Sequence, residues 1–239
     1  MKKIKRIIIK LSGESLANRE KRLSIDPSIV SDIARQIQEI LHLNIQVGIV
    51  VGGGNFWRGA AAEKNGISRN RADYIGMLAT VMNGLALQSA FEKQNITTRI
   101  QSALAVDAKV AENYVNEKAI KALKNHEVVI FTGGTGRPFF TTDTAATLVA
   151  SEINADTILM GKNGVNGIYD DDPKTNEQAK RFDVITYDKL IQANLLVMDA
   201  TAAAMARDNN INLMVFDITE KNALIRAVEN KITNTKVVK

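Results

Sequence analysis

The chain has 239 residues, of which 45% are hydrophobic and 24% charged, proportions typical of globular proteins and unlike those of disordered or collagen-like chains. It has no cysteine and only two histidines, which excludes disulfides and sulfur-based zinc sites and disfavours histidine-centred catalysis. The net charge of +5 suits anionic partners such as nucleotides or phosphates, but it does not indicate nucleic-acid binding.

The N-terminus begins with a basic run and continues into an apolar one, but the apolar run is short. Lys10 ends it after three isoleucines, whereas the apolar region of a signal peptide continues without interruption. Elsewhere no apolar stretch approaches the roughly 18 residues that a transmembrane helix needs. We therefore expect a cytoplasmic protein with no membrane partner.

Short apolar runs alternate with helical patterns along the whole chain. The runs are rich in β-branched residues, as expected of strands buried on both faces of a parallel sheet, and they lie at 7–11, 45–51, 128–132, 158–160 and 213–216. Asp26 and Pro27 form a helix-start signal, and apolar residues follow at helical spacing as far as Leu41. Further helices are predicted at 71–93, 144–153 and 222–229.

This alternation predicts an α/β protein, specifically a three-layer αβα sandwich around a mainly parallel sheet. No linker rich in proline, glycine or serine divides the chain, so we expect a single domain over residues 1–239. Ligands in such folds bind beyond the carboxyl ends of the strands, and the loops that follow the strands are therefore the first candidates for a site.

Three of these loops share a chemical theme. The segments 10–15, 52–59 and 133–143 read KLSGES, GGGNFWRG and GGTGRPFFTTD. Glycine allows backbone N–H groups to approach an anion closely, and Lys or Arg beside the turn adds the charge that phosphate oxygens attract. For any one of these loops alone, a tight turn is the better explanation. Three together, with basic residues among them, favour phosphate binding.

Familiar nucleotide motifs are absent from the chain. There is no G-x-x-x-x-G-K-[ST] motif, no G-x-G-x-x-G after the first strand and no H-R-D catalytic loop. With histidine and cysteine scarce, the chemistry should need little proton transfer. Phosphoryl transfer meets that condition, because it depends mainly on positioning and on the neutralisation of charge.

Several other features allow two interpretations each. Asp170–Asp172 before Pro173 could bind Mg²⁺ or nucleotide hydroxyls, or could form an acidic turn. Tyr169 could stack on a base or pack in the core. The aromatic residues at 57, 139 and 140 lie in loops, where their rings would be exposed without a ligand or partner. The apolar stripe at 77–87 indicates either core or a subunit interface.

Four motifs, in order along nearly the whole chain, resemble those of the bacterial UMP kinases of the amino acid kinase superfamily: Lys10-Leu11-Ser12-Gly13-Glu14, Gly52-Gly53-Gly54-Asn55, 77–84 and 138–143. The first two motifs are widespread in the superfamily, and the last two resemble the UMP kinase branch in particular. The resemblance implies transfer of the ATP γ-phosphate to UMP in pyrimidine nucleotide synthesis. It also implies Mg²⁺ held mainly through nucleotide phosphates, with no metal site in the protein, UTP as a feedback inhibitor, and a homohexamer.

The resemblance also implies roles for individual residues. Catalytic roles fall to Lys10, Arg58 and Asp143, with Asp143 orienting Lys10. ATP binding is implied for Lys10, Leu11, Ser12, Gly13, Gly54, Arg58, Asn163, Tyr169 and Asp172, and UMP binding for Gly53, Asp73, Thr135, Gly136, Arg137, Pro138, Phe139, Phe140, Thr141 and Thr142. The UMP site would belong to the N-terminal part, and the ATP site to the C-terminal part from about residue 155.

Asp73 stands at the start of a predicted helix, where the helix dipole favours a carboxylate, and no basic residue follows it at three or four positions. A carboxylate in that setting is suited to accept hydrogen bonds from ribose hydroxyls.

The chain departs from the family pattern in two places. The family commonly has a threonine–lysine pair before Val-Asp-Gly, whereas this chain reads NGVNG at 163–167, so Lys162 is the candidate for the second lysine. Many bacterial UMP kinases are activated by GTP and carry a glycine-containing, acidic segment before the first helix. Here 18–26 has no glycine, which predicts that turns with positive φ are unavailable and that GTP activation is weak.

Two other functions remain open at this point. Another kinase of the superfamily could act on a carboxylate, a carbamate or isopentenyl phosphate, although the FFTT sequence at 139–142 disfavours this. A relative that only binds a nucleotide or an oxyanion is the second alternative, and the presence of Lys10 and Asp143 disfavours it.

Overall fold

The computed structural model describes residues 4–59, 66–173, 175–195 and 197–239. The described strands are β1 (Arg6–Leu11), β2 (Gln46–Val51), β3 (Thr98–Ser102), β4 (Glu112–Asn113), β5 (Val128–Thr132), β6 (Thr157–Lys162), β7 (Ile168–Tyr169), β8 (Arg181–Phe182), β9 (Val184–Thr186), β10 (Asn212–Asp217) and β11 (Asn234–Val238). The described α-helices are α1 (Pro27–His42), α2 (Arg69–Glu92), α3 (Asn116–Lys124), α4 (Thr142–Glu152), α5 (Tyr187–Gln192), α6 (Ala200–Asp208) and α7 (Ala223–Val228). None of these helices is both long enough and apolar enough to cross a membrane.

The central sheet has the strand order β4-β3-β5-β2-β1-β6-β10-β11-β9, and β7 pairs with β8 outside it. Neighbouring strands of the central sheet run parallel, except for the antiparallel pair β10 and β11. The mainly parallel sheet predicted from the sequence is therefore confirmed.

Helices cover both faces of the sheet, and β1 shows why its sequence is apolar throughout. Ile7 and Ile9 pack in one buried cluster with residues of α1, α2 and α7, whereas Ile8 packs on the opposite face with residues of α3, α4, α5 and α6. Successive residues of a strand point to opposite faces, so a strand covered on both sides has no polar face. The three-layer αβα sandwich is confirmed. Lys10 is two residues after Ile8, so its side chain points to the same face of the sheet, which α4 covers.

β1 occupies the middle of the sheet, with Lys10 in register with Val50 of β2 and Met160 of β6. In the sheet, β1 lies between β2, which follows it in the chain, and β6, which comes much later in the chain. Crevices beside such a change in strand order are where α/β proteins bind ligands. The fold therefore directs attention to the carboxyl end of β1.

Two helices that carry predicted site residues begin two residues earlier than the sequence indicated. The helix α2 begins at Arg69 and α4 begins at Thr142, with Thr141 as its N-cap. Asp143 is thus the second residue of α4, close to the predicted position. Asp73 lies one turn inside α2 and not at its start, so the helix-dipole argument made for it is wrong.

The segment before α1 forms a small hairpin in which Asn18 pairs with Leu23, and Asp26 caps α1 as predicted by accepting a 2.9 Å hydrogen bond from the Ser28 N–H. Arg22 has a φ of 54° within this hairpin. The expectation that a segment without glycine cannot form a positive-φ turn is therefore wrong. The left-handed conformation of a non-glycine residue costs about 1–2 kcal/mol, and the hairpin's hydrogen bonds offset that cost. The prediction of weak GTP activation loses its physical basis.

Candidate active site

The loops after β1 and β2 touch through their backbones. A Cβ atom built on Gly13 would lie 2.7 Å from the Gly54 nitrogen and 2.8 Å from the Gly52 oxygen, so only glycine allows this approach. Asn83, fully buried in α2, donates a 2.7 Å hydrogen bond to the Gly52 carbonyl and another to Asn55. The two predicted phosphate loops therefore form one continuous, glycine-lined surface.

A largely buried ion pair lies at the carboxyl end of β1. Lys10 Nζ is 2.7 Å from Asp143 Oδ1, and the two side chains are 11% and 15% exposed. β1 supplies the ammonium and the first turn of α4 supplies the carboxylate. Away from bulk water the attraction between such charges is only weakly screened, so Asp143 holds the ammonium in a defined place.

Lys162 ends β6 beside this pair, and its ammonium donates a hydrogen bond to the carbonyl oxygen of Val197. Burial lowers the pKa of Lys162. The Asp143 carboxylate opposes that shift, and the Lys10 ammonium adds to it. The lysine proposed as a replacement for the family's second lysine is thus within electrostatic range of both members of the ion pair.

Hydrogen bonds connect the loop after β1 to the loop after β6. The Ser12 and Ser15 hydroxyl oxygens are 2.7 Å apart, and the Ser15 hydroxyl donates to Asn163 Oδ1 over 2.9 Å. Two of the predicted ATP-binding residues, Ser12 and Asn163, are therefore joined through Ser15. Leu11, predicted for the same set, has a fully buried side chain, which leaves only its backbone for a ligand.

The other two residues predicted for the ATP nucleoside lie farther along the chain. Tyr169 is in β7, and its hydroxyl donates a 2.7 Å hydrogen bond to Asn166 Oδ1. Asp172 follows in an exposed turn, where its N–H bonds to the Asp171 carboxylate. Tyr169 thus belongs to the small β7–β8 sheet, and Asp172 lies in the connection between its two strands.

Arg58, predicted to bind phosphates, is paired with Glu14. The Glu14 carboxylate holds the Arg58 guanidinium on one oxygen and the Arg19 guanidinium on the other, the latter at 3.1 Å. The Arg58 side chain is 59% exposed, so an anionic ligand can reach it by displacing Glu14. Sequence reasoning singled out Glu14 only as part of a motif, because its partner is 44 residues away.

An open cavity of about 230 Å³ lies between the loop after β2, the N-terminal half of α2 and the loop after β5. Six of its lining residues were predicted to bind nucleotides, namely Gly53, Gly54, Asp73, Phe140, Thr141 and Thr142. The remaining lining residues had not been assigned to either nucleotide, although several lie in the segments 52–59, 77–84 and 133–143: Trp57, Gly59, Ala72, Gly76, Met77, Thr80 and Gly134. The structure thus brings the central part of the predicted UMP set together around one space.

Asp73 has partners at the wall of this cavity. Its carboxylate accepts hydrogen bonds from Arg69 Nε at 2.9 and 3.0 Å and from the Phe139 N–H at 2.7 Å. The basic partner of Asp73 precedes it by four positions, so the lack of a basic residue after Asp73 gave no sign of Arg69. Asp73 therefore connects α2 to the loop after β5.

Five predicted UMP-binding residues lie on the loop after β5 but are not among those that line the described cavity: Thr135, Gly136, Arg137, Pro138 and Phe139. Within this loop the Thr135 hydroxyl donates a 3.1 Å hydrogen bond to the Arg137 carbonyl. Phe139 has a φ of 72° and a side chain 66% exposed, with the Arg69 guanidinium 5.9 Å from its ring centroid. These residues belong to the same loop as Gly134 and Phe140, which do line the cavity.

Trp57, the chain's only tryptophan, is a cavity residue that no motif predicted. Its indole Nε1 is buried and has no hydrogen-bond partner among the residues that the structure describes. The only signal in the sequence was a large ring within a glycine-rich loop, which was equally compatible with packing against a partner.

Comparison with known proteins identifies the family. The sequence model of the amino acid kinase family matches residues 5–217. A uridylate kinase of Mycoplasmopsis pulmonis (strain UAB CTIP) is 66% identical over 234 residues, which cover 98% of this chain and 96% of that protein. A uridylate kinase of Mycoplasmopsis synoviae (strain 53) is 64% identical over 239 residues and matches over the full length of both chains.

Solved structures agree with this assignment. The crystal structure of UMP kinase from Ureaplasma parvum has a TM-score of 0.93 and 44% identity to this chain, with 100% of each chain covered. The chain belongs to the amino acid kinase family and, within it, to the uridylate kinases.

Proposed function

We propose that this chain transfers the γ-phosphate of ATP to UMP, giving UDP and ADP, as a step of pyrimidine nucleotide synthesis. The observation that carries the proposal is the Lys10–Asp143 ion pair of 2.7 Å at the carboxyl end of β1, where Asp143 directly follows the cavity residues Thr141 and Thr142. Relatives named uridylate kinase at 58–66% identity support the same reaction. Both substrates are nucleotides of the cell interior, so we also propose that the enzyme acts in the cytoplasm.

In this reaction an oxygen of the UMP phosphate attacks the γ-phosphorus of ATP. The bond from that phosphorus to the bridging oxygen breaks, and its electron pair leaves with ADP. Lys10 neutralises the charge on the transferring group, and Asp143 keeps the ammonium in place. Backbone N–H groups of the loops at 12–13 and 53–54 supply further fixed donors, and Arg58 leaves Glu14 to meet phosphate oxygens. The Lys10 ammonium and the backbone N–H groups are already in place, so they need no reorganisation during transfer.

The substrates are assigned to two regions of the chain. UMP binds in the cavity, with Gly53, Asp73 and 140–142 at its walls, and it also contacts 135–139. ATP binds on the other side of Lys10, against 11–13, Gly54 and Arg58. Asn163, Tyr169 and Asp172 hold its nucleoside, in the C-terminal part from about residue 155. UTP has the same base and ribose as UMP, so it inhibits by occupying the UMP cavity.

Mg²⁺ would be held in this site mainly by the phosphate oxygens of ATP. Among the residues that the structure describes, no three His, Cys, Asp or Glu side chains are grouped so as to hold a metal ion, and the Asp143 carboxylate is paired with Lys10. This donor set fits an ion held mainly by phosphate oxygens, because Mg²⁺ is commonly bound by substrate phosphates together with water. When bound, the ion supplies additional neutralisation of phosphate charge.

A homohexamer is proposed from the resemblance, and one surface of the chain supports self-association. Ile75, Leu78, Met82 and Leu85 lie along one side of α2 at spacings of three and four residues and are 37–50% exposed. Such a stripe on a helix is the pattern by which two helices pack together. The apolar residues at 77–87 were interpreted as core or as a subunit interface, and the interface interpretation fits this exposed side of α2. Met77, Val81 and Leu87 are instead buried within the protomer.

An ADP-release assay with several acceptors tests the reaction. We expect ADP with UMP, much less with CMP, and none with carbamate or an acidic amino acid. Release with carbamate or the amino acid and not with UMP would assign the chain to another kinase class. Binding of nucleotides without ADP release from any acceptor would indicate a non-enzymatic relative.

Replacing Asp73 by Asn should raise the KM for UMP about tenfold or more and leave the KM for ATP nearly unchanged, because hydrogen bonds to a charged acceptor contribute about 1.5–3 kcal/mol. The measurement is the initial rate with each nucleotide varied in turn. Asp188→Asn, an exposed carboxylate on α5, is the matched control. Equal changes in both KM values, or none, would remove Asp73 from the ribose site.

Because Trp57 is the only tryptophan, its emission reports on the cavity without any label. We expect UMP to change the intensity or wavelength of tryptophan emission in a saturable way, with a midpoint near the KM for UMP. ATP alone should change it much less. A flat titration over UMP concentrations that support turnover would show that UMP does not bind in this cavity.

A further inference from the structure

Asp199 lies immediately before α6 and connects the first turns of two helices. Its Oδ1 accepts a 2.9 Å hydrogen bond from the Ala202 N–H, which caps α6. The same carboxylate accepts hydrogen bonds from the hydroxyls of Thr141 and Thr144, the latter at 3.0 and 3.1 Å. A helix cap needs only the first of these bonds. The other two join Asp199 to α4, more than 50 residues away along the chain.

The contact with Thr141 leads directly to the ion pair. The Thr141 hydroxyl donates its hydrogen to Asp199 and accepts the N–H groups of Asp143 at 3.0 Å and of Thr144 at 3.3 Å. The orientation of this hydroxyl is fixed because its only hydrogen is used. Asp199 thus determines how Thr141 caps α4, and the first turn of α4 carries the Asp143 carboxylate that holds Lys10.

The segment that contains Asp199 also holds the second lysine of the site. Val197, two residues before Asp199, accepts the hydrogen bond from the Lys162 ammonium. One short segment, 197–199, therefore contacts both Lys162 and the first turn of α4. Lys10, Asp143 and Lys162 form a set of three interacting charges, and two of these three side chains depend on this segment for their position.

We propose that Asp199 is a positioning residue for phosphoryl transfer: through Thr141 and Thr144 it fixes the first turn of α4 and with it the Lys10–Asp143 pair. The inference rests on the proposed function for the reaction that is positioned. Asp199 has no need to touch a nucleotide. Its effect should appear in the rate of transfer more than in substrate affinity, since misplacement of a catalytic group by about 1 Å can lower a rate about 100-fold.

The test uses Asp199→Asn, which keeps the size of the side chain but replaces one acceptor oxygen with a donor. We expect kcat to fall about 10- to 100-fold, with the KM for ATP within about twofold of the wild-type value. The KM for UMP should rise less than kcat falls, because Thr141 also lines the UMP cavity. Thr144→Val removes one of the two hydroxyls that bind Asp199 and should lower kcat less. Combining the two changes should add little to the loss in Asp199→Asn, because both interrupt the same connection.

Asp208→Asn is the matched control, since Asp208 is an exposed carboxylate at the other end of α6 that pairs with Arg207. It should leave kcat unchanged. Hydrogen exchange gives a second readout that does not depend on activity. The amides of the first turn of α4 should exchange faster in Asp199→Asn than in the wild type, and in Asp208→Asn they should exchange at the wild-type rate.

Wild-type kcat in Asp199→Asn, losses that multiply in the double variant, or unchanged exchange at the start of α4 would each overturn the positioning role. If Asp199→Asn fails to fold, Thr144→Val alone decides: a lowered kcat with faster exchange supports the role, and wild-type values for both contradict it. Failure of the wild-type enzyme to release ADP with UMP would instead contradict the proposed function, while the exchange measurement would still test Asp199.

Discussion

Replacing Lys10 by Met is expected to lower kcat about 10²–10³-fold, the usual effect of losing an electrostatic contact made in the transition state. The KM values should change far less. Lys10 is fixed by Asp143 at 2.7 Å, so its charge is in place before transfer begins. Methionine has a similar length and no charge. The change therefore removes the interaction with developing charge and keeps most of the packing beside β1.

Steady-state kinetics with each substrate varied in turn, together with a melting curve, will separate the possible causes. Lys124→Met, at an exposed position at the end of α3, is the control for loss of one lysine and should have wild-type kcat. A normal melting temperature with a low kcat would place the defect in the chemistry. Near-normal kcat in Lys10→Met would exclude Lys10 from transfer.

The core of this fold could be predicted because its central strands are covered on both faces. Runs such as 7–11 and 128–132 are apolar throughout for that reason, and their predicted limits agree with β1 and β5 to within one residue. The glycine loops directly follow these strands in the sequence, and ligands of such sheets bind at the carboxyl ends of the strands. The predicted strand positions along the chain were therefore enough to indicate where the phosphate loops would be.

Elements with mixed composition could not be predicted in the same way. β3 reads TRIQS, and its Gln101 and Ser102 are buried polar residues whose burial depends on neighbours far along the chain. The helix α6 is mostly alanine, which gives a weak contrast between its buried and exposed sides. β11 pairs antiparallel with β10, which the strand–helix alternation did not indicate.

The site shows the same limit at the level of single residues. Lys10 and Asp143 belong to motifs and could be named from the sequence, but the partners that fix the site are distant in sequence. Asp199 reaches α4 across 55 residues or more, and Glu14 reaches Arg58 across 44. Such contacts follow from tertiary packing, and a search of neighbouring positions along one helix cannot find them.

A second large effect is expected from Gly13→Ala, because the added methyl group has no room. Its Cβ would lie 2.7 Å from the Gly54 nitrogen and 2.8 Å from the Gly52 oxygen. Both are backbone atoms, and Asn83 holds the Gly52 carbonyl from inside α2, so the loop after β2 cannot yield by turning a side chain. The two phosphate loops must separate instead, which displaces the N–H groups that we propose bind the ATP phosphates.

We expect kcat/KM for ATP to fall about 100-fold or more, since a shift of about 1 Å in a positioned group can have that effect. The free energy of unfolding should fall by about 1–3 kcal/mol, as for other overpacked sites. Gly48→Ala is the matched comparison: its Cβ would lie 2.7 Å from Ile8 and 2.9 Å from Phe131, both side chains of the core. It should lower stability by a similar amount while the folded enzyme keeps its kinetic constants. If Gly13→Ala loses only stability and retains kcat/KM for ATP, the close approach of the two loops has no role in holding the phosphates.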